Sequence, residues 1–175
     1  MRLKHYTSVL HLPYILQSGS IKVCESNIGA PRGRIAHEGP AGPHAGPDVA
    51  WFTVGDYEGT AASPVPGSRP KDDVVFEVEV DDAHHWPEWA RLQGINEQWY
   101  RILAEMGNPD EWYIVERPVP REQWQRVYLI QRVKVEGFAR NAHCPCGSAN
   151  KFKHCHLGSK YIEMAIQEID TEREA

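Results

Sequence analysis

Apolar residues recur along this chain in short bursts whose spacing switches between two and three to four. Val74, Phe76, Val78 and Val80 alternate with Val75, Glu77 and Glu79, the period of a half-buried strand. Val127, Leu129, Val133 and Val135 keep the same period and predict one long strand ending at Gly137. Residues 21–24, 49–54 and 112–115 are shorter strand-like runs. Val9, Leu10, Leu12, Ile15 and Leu16 predict a short helix capped by Thr7 or Ser8. Pro13 moves its start to about His11 or Leu12, and Gly19 ends it. Residues 86–106 are helical in character, with a break at Gly94. Ile162, Ala165, Ile166 and Ile169 share one helical stripe and predict a C-terminal helix over 161–175. Gly/Pro-rich loops occupy 27–48 and the stretch up to Pro70. Several strands with two or three helices and no internal repeat predict an α+β fold with a mixed or antiparallel sheet. Its parts are a main domain over 1–137, a small cysteine-rich segment over 138–160, and the helix.

Composition narrows the class. With 175 residues, 41% hydrophobic and 25% charged, the chain buries a real core. No apolar run approaches the roughly 18–20 residues of a membrane span. The first residues lack a signal-peptide core, so a cytoplasmic location is expected. A formal net charge of −5 argues against a protein that coats nucleic acid non-specifically. Residues 137–160 nevertheless contain no acid but hold Arg140, Lys151, Lys153 and Lys160. The segment after them is acidic.

Three of the four cysteines fall within twelve residues, as Cys144-Pro-Cys146-Gly-Ser, six residues, then Cys155-His156. In a reducing compartment such clustering points to metal rather than disulfides. Three thiolates and one imidazole fill a tetrahedral zinc ion completely, so the expected site is structural. His143 and His154 are alternative ligands that rank below His156. Cys24 stands apart and reads as an inert buried thiol. Cys-Pro-Cys-Gly-Ser-x-x-Lys-Phe-Lys-x-Cys-His resembles the SEC-C motif, which ends the bacterial translocase motor SecA and there binds the export chaperone SecB. The resemblance implies docking to a SecB-like chaperone or a ribosomal partner.

The remaining motifs lie in the main domain. They are Lys4-His5-Tyr6-Thr7 followed by Ile15-Leu16-x-x-Gly19-x-Ile21, then Trp51-Phe52-Thr53, then Glu111-Trp112-Tyr113-Ile114-Val115 leading to Pro118-Val119-Pro120. As a set they resemble the ADP-ribosyltransferases, above all the toxin-like group that modifies nucleic acids, and the related RNA 2′-phosphotransferases. The resemblance implies NAD as substrate. His5 would hold the adenosine ribose, and the backbone at Tyr6 and Thr7 would meet the nicotinamide amide. Thr53 would support the glutamate or a ribose, and Tyr6 or Trp51 would stack on a ring. Arg32 and Arg34 would face the pyrophosphate, with Glu111 as the catalytic carboxylate. Such a carboxylate stabilises oxocarbenium charge as the nicotinamide bond breaks. Arginine-modifying members carry a second acid two residues earlier. Pro109 stands there, which favours a nucleic-acid acceptor or another protein side chain. Glu116 competes for the catalytic role. The expectation is an ADP-ribosyltransferase, suited to a toxin or defence effector, with a zinc docking module. The rival is a non-catalytic adapter that works through its zinc knuckle.

Overall fold

The computed structural model describes residues 1–26, 28–29, 46–56, 71–105, 107–130, 132–134, 138–144, 148, 150–163 and 168–169. Arg32, Arg34 and Cys146 lie outside the described residues. The first strand, β1 (Arg2–Thr7), becomes the middle of a seven-stranded sheet. On one side it pairs with β4 (Val74–Glu79), which pairs with β8 (Trp124–Leu129) and that with β11 (Glu168–Ile169). On the other side lie β3 (Ala50–Thr53), β6 (Trp112–Val115) and β5 (His84–His85). Every one of these pairings is antiparallel.

Alternation along β1 assigns the two faces. Leu3 and Phe76, Val78, Phe52 and Trp124 join a core cluster on one face, with the Phe76 and Trp124 rings edge to face at 4.9 Å. The helix α1 (Leu12–Ser18) and the small pair β2 (Ser20–Ile21) with β7 (Val119–Pro120) close this cluster through Leu12, Ile21 and Val119. On the other face, α2 (Trp86–Leu92) and α3 (Glu97–Ala104) cover only the β3–β6 half. There Trp86, Trp89 and Trp99 pack with Ile114 and Trp51. On the β1–β4–β8 half, Lys4, Glu77 and Arg126 occupy one row. Alternating charge across neighbouring strands is worth a few tenths to about 1 kcal/mol per pair.

Several expectations hold in this frame and others change. Helix α1 starts at Leu12 with Pro13 in its first turn and stops at Gly19, whose φ is +64°. Its N-cap is His11 rather than Thr7 or Ser8. Thr7 closes β1, and a turn joins the two, with the His11 N–H donating to the Ser8 carbonyl. Asp73, 1% exposed, pins that turn by accepting from the Val9 N–H at 3.0 Å. The 86–106 segment divides at Gly94, and the Asn96 side chain caps α3 by accepting from the N–H groups of Gln98 and Trp99. Strand β4 is buried on both faces at Val74, Val75 and Phe76, because Tyr6 and Tyr128 flank Val75 on the side opposite the core.

Two elements of the sequence reading are corrected. The strand expected through 127–137 is divided into β8 and β9 (Arg132–Lys134). The C-terminal helix is absent where residues are described: Tyr161–Glu163 (β10) and Glu168–Ile169 (β11) are strands. A helix of about 15 residues is marginal in water without a packed face. Strands β8 and β9 offer this segment a ladder of backbone partners instead, and pairing wins over the 3.6-residue stripe.

The His5 ring lies between Phe52 and Phe76, at centroid distances of 5.7 and 6.2 Å. Burial lowers its pKa to about 4, against the opposing pull of its bond to the Trp51 carbonyl. Unfolding restores a pKa near 6.5, so the unfolded chain binds the extra proton between those values. Stability from this group is therefore present above pH 6.5 and lost as pH falls toward 4. Between pH 7 and pH 5 we expect a loss of about 2 kcal/mol. Urea midpoints measured at the two pH values check it, and His5→Gln flattens the difference.

Candidate functional site

Two groups of chemically capable residues stand out, one at each end of the chain's logic. The first is the cysteine-rich segment. Its backbone folds on itself: the Cys144 N–H donates to the Asn150 carbonyl at 2.7 Å, and the Phe152 N–H to Ala142 at 2.8 Å. A 3₁₀ turn, Phe152–His154, then aims three successive N–H groups, those of Cys155, His156 and Leu157, at the Phe152 carbonyl. Buried Phe152 packs with Cys144 and with Ile162 of β10, and Phe138 leans on them. This miniature core holds the donors in place.

Cys144 Sγ and Cys155 Sγ lie 3.2 and 3.1 Å from His156 Nδ1. All three donor atoms fall within 4.8 Å of one another. A tetrahedral zinc ion with bonds of about 2.3 Å to sulfur and 2.0 Å to nitrogen sets S···N edges of about 3.5 Å. The observed edges are within half an ångström of that, so the donor set fits zinc, with Nδ1 as the ligating nitrogen. Ser148 Oγ sits 3.2 Å from Cys155 Sγ and can donate to the sulfur, the kind of outer contact that orients a metal ligand. His143 pairs by a β-bridge with Lys151, and His154 is exposed. Neither joins the donor group. Cys24 is exposed rather than buried, bridged through its backbone to Val49. His84 and His85 assemble no donor group of three among the described residues.

The second group lies where β3 ends and β6 begins. Thr53 pairs with Trp112, and the Val54 N–H donates to the Glu111 carbonyl at 3.1 Å. The next residue, Gly55, donates its N–H to Thr53 Oγ1 at 3.2 Å. A Cβ added at Gly55 would collide with the Glu111 carboxylate, so this carboxylate rests directly on the glycine backbone. Glu111 ends the 3₁₀ turn Pro109–Glu111, which delivers it to the strand start. Glu116 instead accepts from Trp89 Nε1 at 2.9 Å and so serves packing.

The other residues singled out by sequence divide between the faces. His5 Nδ1 is 2.9 Å from the Trp51 carbonyl, and Thr7 Oγ1 is 3.3 Å from His11 Nδ1. Tyr6 shares the opposite face with Lys4 and Thr53. Trp51 lies within the Trp86–Trp112 aromatic cluster, and its indole N–H donates to the Glu25 carbonyl. The sequence reading missed Gly55, whose small size has no periodicity to reveal it, and the Lys4–Asp56 pair beside it. That pair holds the Lys4 ammonium above its ordinary pKa. A cleft of about 410 Å³ opens next to it, lined by Arg2, Lys4, Val54, Glu77, Gln125 and Arg126 among others.

Comparison with known proteins locates one similarity. Residues 140–158 match the SEC-C motif. The protein translocase subunit SecA of Chloroflexus aggregans is 58% identical over 31 residues, 18% of this chain and 3% of that protein. SecA of Chloroflexus aurantiacus (strain ATCC 29366 / DSM 635 / J-10-fl) is 37% identical over 60 residues, 26% of this chain and 6% of that protein. The chain therefore spans only a few per cent of the length of these relatives. No solved structure matches it. Among the described residues no helix is long and apolar enough to cross a membrane.

Freshly reduced protein is expected to carry about one equivalent of zinc, because two thiolates and an imidazole already gathered at one point bind zinc tightly near neutral pH. Elemental analysis checks this, and finding no metal, or iron in place of zinc, overturns the assignment. Phe152→Ala should loosen the donors without removing one and lower zinc retention against a chelator.

Proposed function

We propose that this chain is an NAD-dependent ADP-ribosyltransferase whose SEC-C motif is a zinc-stabilised docking module. The observation that carries the reading is the strand order. The segments bearing His5, Thr53 and Glu111 are far apart in sequence, yet they lie on β1, β3 and at the start of β6, three consecutive neighbours in the sheet. A carboxylate fixed against Gly55 suits a reaction that builds positive charge on a ribose. It stabilises that charge as the bond to nicotinamide breaks, more strongly in the transition state than before it. Thr53 holds the Gly55 backbone and so the floor on which the carboxylate rests. His5, neutral across the physiological range, suits a hydrogen bond to a ribose hydroxyl rather than a charge contact.

The acceptor side also has a chemical character. Arg2, Lys4 and Arg126 face Glu77 in the cleft beside Val54, an excess of cations that favours a phosphate-bearing acceptor over an arginine side chain. Pro109 in place of a second acid agrees with that preference. With Cys146 as fourth ligand beside Cys144, Cys155 and His156, the zinc module has all its coordination positions filled by protein, so it supplies structure and surface rather than chemistry. Lys151, Lys153 and Lys160 give it a basic face suited to an acidic partner such as a SecB-like chaperone or a ribosomal protein. An adapter without catalysis is the second reading, and the motif match over 140–158 favours it.

NAD turnover by the purified protein, with nucleic-acid and protein acceptors, separates the two. Glu111→Gln should keep fold and NAD affinity and slow turnover by a factor of about 10²–10³. Gly55→Ala should displace the carboxylate and slow turnover while costing little stability, since the atom it meets ends a flexible side chain. Glu116→Gln keeps the acceptor for Trp89 and should be nearly silent. If no NAD is consumed with any acceptor, the adapter reading stands.

A further inference from the structure

The cysteine-rich segment is not an appendage on a tether. Strand β9 leads into it and β10 leads out, and the two pair antiparallel with Tyr161 opposite Lys134, Ile162 opposite Val133 and Glu163 opposite Arg132. The next described strand, β11, belongs to the main sheet. There β11 pairs with β8, Glu168 opposite Tyr128 and Ile169 opposite Val127. The two registers are offset by a single residue. Strands β8 and β9, in that order, thus face β11 and β10, one pair in the main sheet and one in a small sheet of its own. The metal donors sit between β9 and β10, and β11 is the edge strand of the seven-stranded sheet.

This geometry sets two residues against a large entropy cost. Strand β11 is two residues long, too short to hold itself on β8. What holds it there is closure of the chain between β9 and β10. That closure depends on the knuckle, where Ile162 of β10 is fully buried against Phe152 and Cys144. Resting on the zinc reading above, we infer that the metal site controls the sheet edge: zinc between β9 and β10 fixes β10, β10 places β11 on β8, and loss of zinc uncovers the β8 edge. An uncovered edge presents unpaired N–H and C=O groups to any passing strand. Linkage makes the effect reciprocal, so β11 docking must tighten zinc binding by the factor with which zinc tightens docking.

Hydrogen exchange on the full chain, zinc-loaded and chelator-stripped, tests one direction. Peptides covering 124–130 should lose protection about fivefold or more on stripping, while those covering 74–79, paired on both sides, keep theirs. The other direction uses Glu168→Pro/Ile169→Pro. One of any two consecutive strand residues points its N–H at its partner, so the double substitution must remove a ladder bond. It should weaken zinc binding about fivefold or more in competition with a chromophoric chelator, with protection at 74–79 as the check on folding. Should the stripped protein unfold altogether, this second measurement decides. Zinc bound at full affinity by the double variant, or protection at 124–130 unchanged by stripping, overturns the inference and leaves the zinc assignment intact. A chain that takes up no zinc overturns both.

Discussion

The fold depends on a constraint set by its first six strand residues. β1 has a neighbour on each side and so two faces to satisfy at once. Leu3 faces the larger core and is 1% exposed, while Lys4 faces the charged row. A one-residue slip would exchange them, burying an ammonium and exposing a leucine. The continuous register of Arg2–Thr7 against β4 thus fixes which side of every other strand is inside. Helix α1 and the β2–β7 pair close one face, and α2 and α3 half of the other.

Much of this was legible in the sequence. Val74, Phe76 and Val78 announced β4 by alternation, Gly19 and Gly94 marked helix ends through the left-handed backbone they adopt, and the Cys/His spacing announced the donor group. What was illegible depended on partners distant in the chain. The stripe from Ile162 to Ile169 is a sound amphipathic pattern in isolation; only the presence of β8 and β9 turns its described ends into paired strands. Asp73, a buried anchor for the turn after β1, stood out by no pattern of its own. Cys24 looked like core, yet the edge where it meets Val49 leaves its side chain at the surface. Gly55 carried no signal, since its importance lies in what rests on it.

The candidate site and the candidate module illustrate two ways of fixing a side chain. Glu111 is placed by regular pairing: β3 and β6 align Thr53 with Trp112, and the carboxylate follows. Cys144, Cys155 and His156 are placed by a short irregular turn whose rigidity comes from one phenylalanine and a few backbone bonds. The first arrangement is as stable as the sheet. The second needs its ligand to complete it, which is the usual condition of small metal-held motifs.

The aromatic cluster under α2 has an optical consequence. Trp86 lies 5.6 Å from Trp51 and 5.2 Å from Trp112 between ring centroids, and its ring is stacked on Tyr100 at an interplanar angle of 10°. Indoles this close exchange excitation among themselves and couple their transition dipoles. The protein should therefore show depolarised tryptophan emission and strong near-ultraviolet dichroism, both arising from the contact between α2 and the sheet. The chain thus carries, without any label, a spectroscopic gauge of whether that helix is seated.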